Sequence, residues 1–245
     1  MVSDELGLML VMTGLYLYDS VLMLAINEAA LVQGGRKRWR VAFGAQNYRL
    51  AGREPFLPNP FAPHGRIYRM TWAIESAAGK HDEAFLALLN EDARFKEFRV
   101  PVWLMAIALF VLVPAGLFSR LGHGCVLIAM ALFYLCALFS LTRAYLNRER
   151  FGIGGRTVAS IAVQSLVCPP FALNLIRKLC AAQRPRGDLL ATAALLLPPC
   201  GIELAKVQCR KRLDEQIDLE PEGSARRLAM IDARRRLAPR EEAQT

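Results

Sequence analysis

The chain contains two long apolar segments without a charged residue, VPVWLMAIALFVLVPAGLF at residues 100–118 and GCVLIAMALFYLCALFSLT at residues 124–142. A transmembrane helix needs about 20 consecutive apolar residues, so each segment is long enough to cross a bilayer. The short turn between them carries one charge, that of Arg120. The sequence therefore predicts a transmembrane hairpin over residues 100–142.

A third apolar run, LGLMLVMTGLYLYDSVLMLAINEAALV, covers residues 6–32. Asp4 and Glu5 precede it, and the first basic residue is Arg36. A cleavable signal peptide opens instead with a positive n-region. We therefore interpret residues 1–32 as a first transmembrane helix with its N-terminus outside.

Two weaker apolar segments follow within residues 143–207, at 157–176 and 189–207, and each contains a Pro-Pro pair. The surrounding stretches resemble each other, VCPPFALNLIR at 167–177 and LLPPCGIELAK at 196–206. Pro-Pro breaks a helix, and in lipid the freed carbonyls must find partners. Pro169, Pro170, Pro198 and Pro199 are thus expected to interrupt either re-entrant segments or kinked spans.

Basic residues set the expected topology. The net charge is +9, and basic clusters flank the apolar runs. Lys and Arg collect in cytoplasmic loops, which places residues 33–99 and the charged tail 208–245 inside. Arg177, Lys178, Arg184 and Arg186 fit this rule only if the two Pro-Pro segments re-enter.

The first loop, residues 33–99, is predicted to form a small mixed α/β unit. Alternating apolar and polar residues at 39–43 and 66–72 are typical of short strands. An amphipathic helix is expected from about Lys80. Between the strands lies EPFLPNPFAPH, residues 54–64, which is either a packed loop or an aromatic, proline-lined docking surface. The predicted fold is thus an all-α polytopic membrane protein with three clear transmembrane helices, two Pro-Pro-broken segments and this loop unit.

A few polar residues inside the apolar runs form a candidate intramembrane site: Asp19, Asn27, Glu28, Asn174 and Glu203. Asp19 is the sharpest signal, because a charged Asp at the bilayer centre costs about 2.5–3.5 kcal/mol on the insertion scale. It is either a proton or cation site or a hydrogen-bonding strut between helices. No Lys or Arg lies deep in any run, so the sequence suggests no ion-pair partner for Asp19.

The sequence indicates no cofactor and no metal. The six cysteines are widely spaced and are expected to be free thiols, and no recognisable catalytic motif favours an enzyme. The expected partners are the lipid bilayer, anionic lipid at the basic loop and tail, and a protein partner or a second copy, with no nucleic acid. Two function classes follow: a membrane-embedded scaffold or accessory protein that binds through the cytoplasmic loop, or a small cation- or proton-linked channel or transporter that uses Asp19.

Overall fold

The first apolar run contains two kinds of secondary structure in the computed structural model. Helix α1 covers Val2–Ser20, and the chain then forms strand β1, Leu22–Ala25, and strand β2, Glu28–Gln33. The central four residues of β2 are buried. A strand that is buried on both faces has the continuous apolar composition of a membrane helix, so composition alone predicts a helix at β2.

The prediction of an all-α membrane protein with three clear transmembrane helices is therefore wrong. The described residues form five strands in two sheets beside the helices. Two helices in this part of the chain are long and apolar enough to cross a membrane, Phe95–Phe118 and Gly122–Leu146. They match the predicted hairpin and suggest a membrane location by length and composition alone.

The structure describes residues 2–34, 38–72, 89, 93–119, 122–183 and 188–237. They belong to two units, a helical unit of residues 1–22, 57–68 and 90–184, and a sheet unit of residues 23–56, 69–89 and 185–245. Most of the amphipathic helix expected from Lys80 lies outside the described residues, as do Arg36, Lys37, Arg120, Arg184 and Arg186.

The hairpin forms the centre of the helical unit. Helix α2, Ala93–Ile107, continues through a π-helical segment, Ala108–Leu112, into α3, Val113–Phe118. Helix α4, Gly122–Leu146, returns beside them. At Gly116 a Cβ atom would lie 2.7 Å from Val126 Cγ2, so this glycine permits the close approach of α3 and α4.

The first Pro-Pro pair divides its segment into short helices. Helix α5, Gly155–Val167, ends at Cys168, and α6, Pro169–Ala172, begins with the two prolines. Helix α7, Leu175–Ala182, follows. At 1.5 Å per residue, the 13 residues of α5 reach roughly 20 Å, short of the 30 Å hydrocarbon core of a bilayer.

The sheet unit combines strands with the C-terminal helices. Strand β3, Trp39–Ala42, pairs antiparallel with β2 in the register Leu31 to Val41, and β5, Ile67–Thr71, lies on the other side of β2. Strand β4, Arg53–Phe56, pairs with β1. Strands thus occupy both stretches where alternation predicted them.

Three helices complete the sheet unit, and each begins at a residue suited to a helix start. Asp188 caps α8, Leu189–Leu196, by accepting from the backbone N–H groups of Leu190 and Ala191. The second Pro-Pro pair separates α8 from α9, Pro199–Ile217. Ser224 caps the last helix, α10, Ala225–Arg236.

Candidate functional site

A buried polar cluster links the end of α1 to the first Pro-Pro segment of the helical unit. Helix α1 contributes three of its side chains, and the start of α7 contributes the other three. Both sets have the spacing i, i+3, i+4, which places them on one helix face. The six side chains, called the polar cluster below, are Tyr16, Asp19, Ser20, Asn174, Arg177 and Lys178.

Asp19 is fully paired within this cluster. One carboxylate oxygen lies 2.9 Å from Lys178 Nζ, and the other accepts a hydrogen bond of 3.0 Å from Asn174 Nδ2. The side chains of Asp19 and Lys178 are only 12% and 15% exposed. The sequence argument that Asp19 has no cationic partner is therefore wrong.

Arg177 joins the cluster to the neighbouring loop through four hydrogen bonds. Its Nη1 donates to Asn174 Oδ1 at 2.9 Å and to Ser20 Oγ at 3.1 Å. Its Nη2 donates to the backbone oxygens of Asn59 at 2.6 Å and Ala62 at 3.0 Å. Arg177 is 4% exposed, so a buried cation holds the backbone of a proline-rich loop.

The same loop is fixed at two further points. Tyr16 Oη donates to the backbone oxygen of Pro60 at 2.5 Å. Asn59 Oδ1 accepts from the Phe61 backbone N–H at 3.0 Å, which is the local bond of an Asx-type turn. Although its backbone is held in this way, Phe61 itself is 86% exposed.

An apolar groove of about 240 Å³ lies in the helical unit, next to the proline-rich loop whose backbone is held at residues 59–62 and which is called the clamped loop below. Trp103, Ala106 and Ile107 line it from α2, and Phe110 and Val111 line it from the π-helical segment. The remaining lining residues are Tyr16, Pro60, Phe61, Pro63 and Leu173. π-Helical turns inside α-helices are frequent at functional sites.

Of the five predicted site residues, the structure brings Asp19 and Asn174 together, and the other three have partners outside the polar cluster. The backbone oxygen of Asn27 accepts from Trp72 N–H at 3.0 Å. The Glu28 carboxylate pairs with Arg69 at 2.5 Å and caps Ala25 N–H. Glu203, with a side chain that is 61% exposed, pairs with Lys206 on α9.

A second buried ion pair lies in the sheet unit. Arg212 Nη2 is 2.7 Å from Glu54 Oε2, and both side chains are 1% exposed. The same guanidinium donates to the Gly44 backbone oxygen at 2.9 Å and lies over the Phe43 ring at 4.5 Å. A cavity of about 320 Å³ beside it is lined by Arg212 together with Gln46, Gln208 and apolar residues.

Sequence reasoning missed Arg177, Lys178 and Arg212 as site residues, because it counted all three only as loop or tail charges. A signal was present for the first two. Arg177 and Lys178 follow Asn174 at three and four residues, the spacing at which helical side chains share a face.

Comparison with known proteins adds no function. No protein-family model, curated protein or solved structure matches the chain. Within the described ranges, no group of three or more His, Cys, Asp or Glu side chains is placed to hold a metal ion. The functional argument therefore depends on the polar cluster, the clamped loop and the apolar groove.

Proposed function

We propose that the chain is a membrane-embedded scaffold or accessory protein, which binds a protein partner through the proline-rich segment 54–64 of its first loop. One observation carries this proposal: the backbone on both sides of Phe61 is held by buried side chains, while its ring is exposed. An exposed aromatic side chain is a frequent anchor of a protein interface. The loop is suited to a protein partner that offers an apolar pocket for this ring.

The rigidity of the loop supports the proposal energetically. Binding normally costs free energy because a flexible loop must be ordered, and a loop already held in place avoids much of that cost. Here a buried guanidinium and a tyrosine hydroxyl hold three backbone oxygens around Phe61, those of Asn59, Pro60 and Ala62. A loop that served only as packing would gain little from presenting a ring that is 86% exposed.

The proposal includes a membrane orientation. The hairpin Phe95–Phe118 and Gly122–Leu146 would enter from the cytoplasm and return to it, since basic residues lie before and after it. The C-terminal tail would then face the cytoplasm, and Phe61 would lie at the level of Phe110 and Val111 of the hairpin. An N-terminus on the outside would require α1 as a third span, and α1 is not among the helices that are long and apolar enough to cross.

A small cation- or proton-linked channel or transporter is the competing proposal. A buried Asp19–Lys178 pair at 2.9 Å favours it, because paired ionisable groups in an apolar setting occur in proton relays. Both oxygens of Asp19 are already occupied by neighbouring side chains, which supports the scaffold instead. Joint substitution of Asp19 and Lys178 separates the two functions, as developed in the Discussion.

Site-specific photocrosslinking tests the scaffold proposal. Benzoylphenylalanine is placed at position 61 in cells, and adducts are identified by mass spectrometry after purification in mild detergent. Position 48 is the matched control, because Tyr48 is an aromatic loop residue that is 73% exposed. We expect a discrete protein adduct from position 61 and none of the same mass from position 48.

A second variant links the adduct to the clamp. Arg177→Gln removes the cation that holds the backbone oxygens of Asn59 and Ala62. It should lower the crosslinking yield at position 61 while the protein still elutes as one detergent-solubilised peak. Two results would contradict a docking role for this loop. One is identical adducts from positions 61 and 48, and the other is a crosslinking yield at position 61 that Arg177→Gln does not change.

A further inference from the structure

The cavity of the sheet unit lies between an edge strand and a helix. Strand β3 is at the edge of the three-stranded sheet, and β3 and the loop after it contribute Val41, Phe43 and Gln46 to the wall. Helix α9 contributes Leu204, Gln208 and Arg212, whose spacing of four residues places them on one helix face. The volume of about 320 Å³ falls within the range of about 300–1,000 Å³ that is typical of small-molecule sites.

The polar side chains of this wall have unused hydrogen-bond capacity. The Nε–H of Arg212 is buried and has no hydrogen-bond partner among the described residues, and the same is true of Gln46 Nε2. Gln208 Oε1 accepts a single long bond of 3.5 Å from Arg212 Nη1. A buried donor without a partner costs free energy, so such donors are commonly satisfied by water or by a ligand.

The charge of Arg212 is already balanced. Its Nη2 lies 2.7 Å from Glu54 Oε2, and Arg49 Nε lies 3.5 Å from the other oxygen of Glu54. Arg49 also pairs with Glu215 at 2.8 Å. These two guanidinium groups face two carboxylates, so an anion that enters the cavity gains no uncompensated cation from them. The cavity is therefore suited to an uncharged ligand.

The donors and the acceptor of the wall match a carboxamide. An amide group offers a carbonyl oxygen for two donors and N–H groups for one acceptor, and it carries no charge. The side chains of Val41, Phe43 and Leu204 offer apolar contact to the rest of such a molecule. The volume holds roughly ten groups of 30 Å³, the share of liquid volume that one water molecule takes.

We propose that this cavity binds a small uncharged molecule in which a carboxamide is attached to an apolar body. The carbonyl oxygen accepts from Arg212 and Gln46, the amide N–H donates to Gln208, and the apolar body packs against Phe43 and Leu204. The site belongs to the sheet unit alone. It depends neither on a membrane location of the hairpin nor on the partner-binding role of Phe61.

Three fluorinated probes of similar shape test the site. They are para-fluorobenzamide, which is uncharged and carries the amide, para-fluorobenzoate, which is anionic, and para-fluorotoluene, which has no hydrogen-bonding group. Binding to the purified full chain in mild detergent is measured by broadening of the fluorine NMR signal, with detergent alone as the blank. We expect para-fluorobenzamide to bind more tightly than either of the other two probes.

Two matched tryptophan variants place the probe in the cavity. Leu204→Trp fills the cavity from its rim, where the side chain is 62% exposed, and should abolish binding of para-fluorobenzamide. Leu228→Trp is the control, because Leu228 is 61% exposed on α10, outside the cavity, and this variant should bind as the unmodified chain does. The buried thiol of Cys209 stays unreactive towards iodoacetamide in a variant whose sheet unit is folded.

A third variant tests the hydrogen bonds. Gln46→Leu keeps most of the side-chain volume and removes one unpartnered donor. It should weaken binding of para-fluorobenzamide about two- to twelvefold, the range for one neutral hydrogen bond, and leave binding of para-fluorotoluene unchanged.

Each part of the proposal can fail by itself. Tighter binding of para-fluorobenzoate than of para-fluorobenzamide would overturn the uncharged ligand class. Equal binding of para-fluorobenzamide and para-fluorotoluene would overturn the hydrogen-bonding role of Arg212 and Gln46. No binding of para-fluorobenzamide up to its solubility, or binding that Leu204→Trp leaves unchanged, would overturn the site itself. Crosslinking at position 61 is a separate measurement, so failure of this site is distinguishable from failure of the scaffold proposal.

Discussion

Replacement of Glu54 by leucine tests the buried ion pair of the sheet unit. Glu54 and Arg212 are each 1% exposed, and their charged groups lie 2.7 Å apart. Leucine preserves most of the side-chain volume but removes the only carboxylate within ion-pair distance of Arg212 in the described residues. The guanidinium then keeps the Gly44 backbone oxygen and the Phe43 ring as its neighbours, and both are uncharged.

The expected loss is large because a buried charge is left without its counterion. Removal of one partner from a buried pair typically costs about 3–5 kcal/mol. Replacement of both partners by apolar residues is often neutral or stabilising. The double variant Glu54→Leu with Arg212→Met should therefore recover most of the stability lost by Glu54→Leu alone.

Alkylation of Cys209 measures this loss within the sheet unit. Cys209 is fully buried on α9, and burial raises the pKa of its thiol to about 12, so reaction with iodoacetamide requires local opening. A loss of about 3–5 kcal/mol raises the opened fraction, and hence the alkylation rate, roughly 150-fold to 4,000-fold. The exposed thiol of Cys200 reports reagent activity in the same sample.

An exposed pair provides the control. Glu215 pairs with Arg49 at 2.8 Å, but its side chain is 37% exposed, and such pairs contribute about 0–1 kcal/mol. Glu215→Leu should therefore change the Cys209 rate by less than about fivefold. If Glu54→Leu had no larger effect than Glu215→Leu, or the double variant were as unstable as the single one, the ion-pair reasoning would be refuted.

Three further predictions concern other parts of the chain. Gly44→Ala should destabilise the sheet unit by about 1–3 kcal/mol in the Cys209 assay, since a Cβ there would lie 2.3 Å from Glu54 Cβ; Gly14→Ala, with nothing within 4 Å, should not. Asp19→Asn combined with Lys178→Gln removes both charges of the buried pair. The double variant should leave insertion and crosslinking at position 61 intact if the protein is a scaffold, but should abolish cation or proton flux in proteoliposomes if it is a transporter. Because the folded pKa of Cys209 is raised above its ordinary value of 9.0, the thiol favours folding below pH 9 and this contribution is lost between pH 9 and 12; urea midpoints should fall over that range, and less so in Cys209→Ala.

The hairpin was predictable because its signal is local. Residues 100–118 and 124–142 carry no charge, so composition alone is sufficient to identify them as long apolar helices. The short strands at 39–42 and 67–71 were also accessible, since alternation is a local pattern. These elements need no knowledge of what they pack against.

The strands after α1 were not predictable by the same reasoning. Composition distinguishes apolar from polar segments, but it does not distinguish a buried strand from a helix. Residues 29–32 are all buried in β2, and their burial depends on pairing with β3 and β5, which lie later in the chain. A turn at Asn27, between two short apolar stretches, was the available hint that the helix had already ended.

The polar cluster shows why charged residues in apolar runs are hard to interpret from one segment at a time. Asp19 and Lys178 are separated by more than 150 residues, so no local pattern pairs them. Their pairing nevertheless left a trace, because Arg177 and Lys178 were among the residues that conflicted with the positive-inside rule if the Pro-Pro segments crossed the membrane. That rule describes solvated loop charges. Arg177 and Lys178 are not solvated loop charges, because a buried carboxylate and backbone oxygens balance them. Their conflict with the rule was therefore a sign that they are buried.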